Sequence, residues 1–162
     1  MTMQDTATTS VREAIVVEAP AERAFKVFTE DIASWWPPDH HVIESPLAEM
    51  VLELRPGGRV YDRGTDGSEC QWGTVLAYEP PERFVFSWNI NLAWGIEDDP
   101  AKSSEVEVRF IPQGPERTRV ELEHRHLDRH GPGWKSLHEG VDGDAGWPLY
   151  LARYAELVAG DR

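Results

Sequence analysis

Between Pro46 and Leu127 apolar and polar residues alternate with a period of two, as in strands with one buried face. Five runs, Leu47–Leu54, Gly58–Arg63, Cys70–Tyr78, Arg83–Ile90 and Ser104–Ile111, are followed by a sixth, Arg117–Leu127. The breaks carry turn chemistry: Pro56-Gly57-Gly58, Asp66-Gly67, Pro80-Pro81, Asp98-Asp99-Pro100 and Pro112-Gln113-Gly114-Pro115. Connections this short join antiparallel neighbours, because a parallel crossover needs about a dozen residues or more. The runs therefore predict a meander, strongly curved, since a flat sheet of this size would leave its inner face uncovered.

Ahead of the meander, Val11, Ile15 and Val17 alternate with Arg12, Ala14 and Val16 and predict a first strand ending at Pro20. Pro20 then opens a helix buried through Ala24, Phe25, Val27 and Phe28, at a position where a missing N–H costs little. A second short helix, about Asp31 to Trp35, carries Trp35-Trp36 to the double stop Pro37-Pro38. After the meander, Trp147, Tyr150, Leu151, Tyr154, Leu157 and Val158 fall on one helical face. Pro148 suits the first turn of that long helix, Asp144 is its candidate N-cap, and Gly160 is its stop. The expected class is α+β, a curved antiparallel sheet wrapped around one long C-terminal helix. Residues 1–10 are expected to be a disordered tail and residues 11–160 one domain.

Charge narrows the partners. Sixteen Lys and Arg face 29 Asp and Glu, a net charge of −13, and the Arg residues are scattered without a basic stripe. Such a field repels phosphate backbones and anionic membranes, so neither nucleic acid nor membrane insertion is expected. The apolar runs are too short to span a bilayer, and Met1–Ser10 is too polar for a secretory signal. Cys70 is the only cysteine, so no internal disulfide can form and the cytoplasm is the expected compartment. Its flanks offer no base or cation that would make the thiol a nucleophile.

Several segments, taken in order, resemble the START-like (SRPBCC) superfamily, and within it bacterial proteins related to the C-terminal domain of the Hsp90 ATPase activator. They are Ala19-Pro20-Ala21-Glu22-Arg23-Ala24-Phe25, Ile32-Ala33-Ser34-Trp35-Trp36-Pro37, Pro56-Gly57-Gly58-Arg59, Glu79-Pro80-Pro81-Glu82-Arg83-Phe84-Val85-Phe86-Ser87-Trp88, Leu122-Glu123-His124 and Gly146-Trp147. The resemblance implies a helix-grip fold with a cavity between sheet and helix that holds an apolar or amphipathic small molecule. It does not say which molecule, because such folds host binders, carriers and cyclases alike. The further N-terminal domain of the eukaryotic activator has no counterpart here, so stimulation of Hsp90 is not inherited from the resemblance.

Seven Trp and four Tyr accompany five Phe, a surplus of rings that keep a polar handle. Phe84, Phe86, Trp88 and Ile90 share one face of their strand, Trp72 lies one strand earlier, and Trp147, Tyr150 and Tyr154 lie on the gripping helix. Trp35 and Trp36 are placed at a pocket entrance, beside a loop containing His40 and His41. Plain core filling is the competing reading for each ring, and most of all for Trp88. Val120, Leu122, His124 and His126 alternate onto one side of the last strand, so both imidazoles are expected to face the cavity or its mouth. There a neutral His could orient a ligand or move a proton. His124, the deeper of the two, is the candidate acid–base group.

Other motifs are absent from the chain. His138, Glu139, Asp142 and Asp144 lack zinc or calcium spacing and predict a solvated acidic helix entry, so no metal is expected. No phosphate loop, dinucleotide glycine pattern or nucleophile elbow occurs, and no cofactor is expected. Glu53 and Arg55, on one strand face, and Arg63 and Glu69, near the next turn, are expected as surface charge. Three functions compete. The first is a protein that binds a small apolar or aromatic molecule between Trp72, Phe84–Trp88 and Trp147–Tyr154, anchored by His124. The second is an enzyme, cyclase- or hydrolase-like, using the same cavity. The third is an interaction or chaperone-partner module working through an exposed apolar patch. A homodimer is left open.

Overall fold

In the computed structural model, which describes residues 9–36, 45–92, 95–97, 99–144 and 146–160, every alternating segment forms a strand. The order is β1 (Val11–Val17), α1 (Ala21–Glu30), α2 (Ile32–Trp35), β2 (Leu47–Leu52), β3 (Arg59–Gly64), β4 (Glu69–Glu79), β5 (Arg83–Trp88), β6 (Ser104–Gly114), β7 (Arg117–Arg125), α3 (Trp134–Asp142) and α4 (Trp147–Gly160). Strands β2 to β7 form the meander, and β1 adds to its far side, giving one sheet ordered β1-β7-β6-β5-β4-β3-β2. All pairs are antiparallel, and the sheet curls as a half-barrel around α4.

The inner face follows from the pairing. Phe86 opposes Val106, which opposes His124, which opposes Val11. One row along, Phe84, Val108 and Leu122 line up; beyond them Phe110 opposes Val120, which opposes Ile15. Apart from Ile15 these side chains are buried, as are Trp147, Tyr150, Leu151, Tyr154 and Val158 of α4. Each large apolar side chain so placed stabilises the fold by roughly 1.5–3 kcal/mol. Polar ties fix the helices over this face. The Thr118 hydroxyl donates to the Ala19 carbonyl (2.8 Å), Tyr154 donates to the Ala24 carbonyl (2.7 Å), and Arg153 donates to the carbonyl that ends α2 at Trp35 (2.9 Å).

Four details differ from the sequence expectations. Asp144 lies three residues before α4, and the first turn is closed by Tyr150 N–H donating to the Gly146 carbonyl (3.2 Å). Position 146 is glycine because a Cβ there would lie 2.2 Å from the Val141 carbonyl oxygen. The segment expected as a solvated acidic entry contains α3, which buries Leu137 and Val141. The last strand stops at Arg125, since His126 turns left-handed (φ 62°) into a short 3₁₀ turn, Leu127–His130. Thr9 and Ser10, assigned to the tail, accept hydrogen bonds through their carbonyls from Leu127 N–H (3.1 Å) and the His138 ring (3.1 Å).

On the outer face of β1, β7 and β6 lies a groove of about 540 Å³, lined by Arg12, Glu107, Arg109, Arg119, Glu121 and Glu123 among others. Its charges pair across and along the strands: Arg12 with Glu123, Arg119 with Glu121, and Arg109 with Glu107. Glu107 is buried beneath Arg83, Arg109 and Arg125. Burial opposes its charge, yet these three cations hold its carboxyl below the ordinary range. The groove lies on the face opposite to the aromatic residues of the candidate site.

Candidate functional site

Alternation on β4 and β5, the end of α2 and the first turns of α4 bring most of the named rings together. Trp36 lies between the two walls: its ring centroid is 5.2 Å from Trp72 and 6.5 Å from Trp88 on the sheet. On α4 it is 4.6 Å from Tyr150 and 6.3 Å from Trp147. Trp88 in turn packs against Trp72 (6.0 Å), His124 (5.0 Å) and Trp147 (5.8 Å), and Phe86 adjoins through Trp72 (6.0 Å). The angled ring planes, between 35° and 86°, are those aromatic quadrupoles favour over face-to-face stacking.

Trp35 and Tyr154 sit in a neighbouring cluster with Phe28, at 4.8 Å and 5.4 Å. Their polar handles are spent on α1, since Trp35 donates to the Phe28 carbonyl (3.3 Å) and Tyr154 to the Ala24 carbonyl. These two rings anchor the helices. His126 stands apart. It is exposed and turned away by its left-handed backbone, so the expectation that both imidazoles share one face fails at this residue. His40, His41 and the loop expected to border an entrance lie outside the described residues.

His124 is fully buried and both of its nitrogens are engaged. The Trp147 indole N–H, which can only donate, points to Nδ1 (3.1 Å). Nδ1 therefore accepts, and the single proton of the neutral ring sits on Nε2, 2.7 Å from the Ser104 hydroxyl. Ser104 accepts that proton's bond and directs its own hydrogen to Nε2 of His130, 2.8 Å away and half-buried. The result is a one-way chain: Trp147 to His124 to Ser104 to His130. Burial, with smaller contributions from His130 and His138, pushes the His124 pKa down to about 3, and burial lowers that of His130 as well. Both rings are neutral at pH 7.

Three further residues of this region, Ser104, His130 and Asp62, are not among those the sequence pattern singles out. Ser104 shares the inward face of β6 with Val106, Val108 and Phe110, a pattern visible in the alternation. His130 reaches the chain through the 3₁₀ turn, for which periodicity gives no signal. Asp62, buried on β3, accepts from the Trp72 indole (3.2 Å) and shares its strand face with Val60. The Cys70 thiol is pushed up by burial and then by Asp62, away from nucleophile chemistry. Glu53 accepts from the Arg59 backbone N–H and guanidinium, as a half-buried structural pair.

One buried indole donor is left over. Among the described residues the Trp88 Nε1–H has no hydrogen-bond partner, although the ring is only 4% exposed. Leaving such a group unmet costs about 1–3 kcal/mol. No trio of His, Cys, Asp or Glu among the described residues is placed to hold a metal ion.

The model of the Activator of Hsp90 ATPase homolog 1-like protein family matches residues 18–159. The chain belongs to that family. Among solved structures, this activator-homolog-like chain is 41% identical to an anthrahydroquino-gamma-pyrone synthase, Txn09, covering 91% of this chain and 96% of that one, with a TM-score of 0.64. It is 30% identical to CalC, a self-sacrificing resistance protein from Micromonospora echinospora, over 95% of this chain and 96% of that one, with a TM-score of 0.68. Protein NE0264 from Nitrosomonas europaea, 18% identical over 96% and 97% of the two chains with a TM-score of 0.68, shares the fold. The comparison with curated proteins gave no match. The helix-grip fold of the activator-homolog-like family is a ligand-cavity module, and among the described residues no helix is long and apolar enough to cross a membrane.

Proposed function

We propose that this protein binds a flat aromatic small molecule between the sheet and α4, among Trp72, Trp88, Trp147 and Tyr150, in the space that the Trp36 ring fills in the free protein. The observation that carries this reading is the Trp36 ring, which packs against aromatic rings on both walls and so fills the space between the sheet and α4. A flat molecule taking its place would meet the same ring faces. The 41% identical relative, by its description a synthase of an anthrahydroquinone-pyrone, supports a fused-ring, oxygen-bearing ligand.

That relative also favours a second reading, an enzyme that closes or reshapes such a ring system in the same space. His124 then needs a free nitrogen. In the resting arrangement Trp147 caps Nδ1, and passing the Nε2 proton to Ser104 would leave an imidazolate, which neutral water does not support. Catalysis through His124 therefore requires the ligand to displace the Trp147 N–H. Binding without turnover requires no such step, and it is the reading preferred here.

Native mass spectrometry of freshly purified protein, followed by a thermal-shift screen of aromatic quinones and phenols, tests the pair. A co-purified or stabilising aromatic that is recovered unchanged supports binding. Conversion of that molecule, lost in His124→Gln with affinity retained, supports the enzyme. A protein that no aromatic molecule stabilises would turn the question to protein partners.

A further inference from the structure

We infer that the Trp88 indole N–H is the hydrogen-bond anchor of the site, and that the ligand must therefore present an acceptor oxygen, a carbonyl or an ether of a quinone- or pyrone-like ring, to it. This rests on the aromatic-binding reading above and adds the chemistry that the ligand has to carry.

Several polar groups around the inner face are already spent on one another or on backbone. The Trp35 indole is spent on the Phe28 carbonyl, Trp72 on Asp62, and Trp147 on His124 Nδ1. The Tyr154 hydroxyl is spent on the Ala24 carbonyl, and the remaining nitrogen of His124 on Ser104. His124, the natural candidate for an anchor, thus has neither a lone pair nor a proton to offer. Trp88 is the exception. Its ring stands at the centre of the cluster, against Trp36, Trp72, His124 and Trp147, and its N–H is buried without a partner among the described residues.

An indole N–H offers a donor and no acceptor, so it selects an acceptor atom and gives nothing to a hydroxyl hydrogen. A buried donor also discriminates more sharply than an apolar wall. A ligand with the oxygen satisfies it, while a hydrocarbon of the same outline leaves it unmet and loses by comparison. Trp88 is thus a specificity-determining residue, whereas His124 positions Trp147.

Two probes of matching three-ring outline separate the outcomes: 9,10-anthraquinone, which carries carbonyl oxygens, and anthracene, which carries none. Dissociation constants come from quenching of tryptophan fluorescence, for wild type and for Trp88→Phe, which keeps an aromatic ring and removes the N–H. Wild type is expected to prefer anthraquinone by about tenfold, the size of one well-made hydrogen bond. Trp88→Phe is expected to lose that preference by weakening anthraquinone alone. A second reading uses wild type only: the Trp88 indole N–H resonance moves downfield with anthraquinone and not with anthracene. A preference that survives in Trp88→Phe, or an indole resonance indifferent to the carbonyl, overturns the assignment while leaving aromatic binding intact. If neither probe binds wild type, the binding reading falls and takes the anchor with it.

Discussion

His124 is held neutral by its burial, and that makes it a source of acid lability. Its pKa is about 3 in the folded chain against an ordinary value of 6.5. The folded value is the depressed one, so between these limits the unfolded chain binds the extra proton. Stability is then complete above pH 6.5 and falls as the pH drops, by about 1.4 kcal/mol per pH unit for one such group. Wild type is expected to lose about 2 kcal/mol more than His124→Gln between pH 7 and pH 5, measured by urea unfolding. Equal losses would mean that the ring is not kept neutral. The window lies above the ordinary carboxylate range, so the acidic pairs of the outer face contribute little to the slope. That His124 points inward was legible, because Val120, Leu122 and His124 alternate. What it does there was not legible. Its two nitrogens are claimed by Trp147, far along the chain, and by Ser104, on the neighbouring strand. Trp88 is the sharper case: that its indole lacks a partner is a property of every surrounding element at once.

At the scale of elements, the strands and the gripping helix could be read from the chain because period and turn chemistry are local. Each of the six runs forms a strand, with ends that move by a residue or a few. The junction between α3 and α4 was misread because it is governed by contact with preceding backbone. Gly146 packs against the Val141 carbonyl, and this close approach, in place of a side-chain cap at Asp144, starts α4 and aims Trp147 at His124. Gly146→Ala is therefore expected to cost about 1–3 kcal/mol through a clash with backbone that cannot swing aside. It should also disturb the Trp147 N–H to His124 bond. Thermal unfolding checks the first effect, and the Trp147 indole proton shift checks the second. Gly140→Ala in α3, where a Cβ would meet nothing within 4 Å, is the control and should be neutral or slightly stabilising. Equal behaviour of the two variants would remove the steric account of the junction.

Over the whole molecule, sheet and helix form two walls whose facing rings are bridged by one residue, Trp36. Neither period nor propensity reveals this, since Trp36 follows a one-turn helix and owes its position to Trp72 and Trp88 on one side and Tyr150 and Trp147 on the other. A ligand seated between the walls has to displace that ring and make good its contacts. Trp36→Ala removes the competitor along with its contacts, so stability and affinity should move in opposite directions. The variant is expected to unfold more easily, by about 3–5 kcal/mol, as a buried Trp truncated to Ala does. It should nevertheless bind 9,10-anthraquinone more tightly than wild type, and the added ligand should recover part of the lost stability, in proportion to how far its concentration exceeds the dissociation constant. Phe28→Ala opens a comparable hole beside Trp35 and Tyr154, outside the bridge, and should lose stability without gaining affinity. If Trp36→Ala binds more weakly than wild type, the ring is part of the seat and not its occupant. The ligand would then stack on Trp36, and the space between the walls would have to be opened by another element.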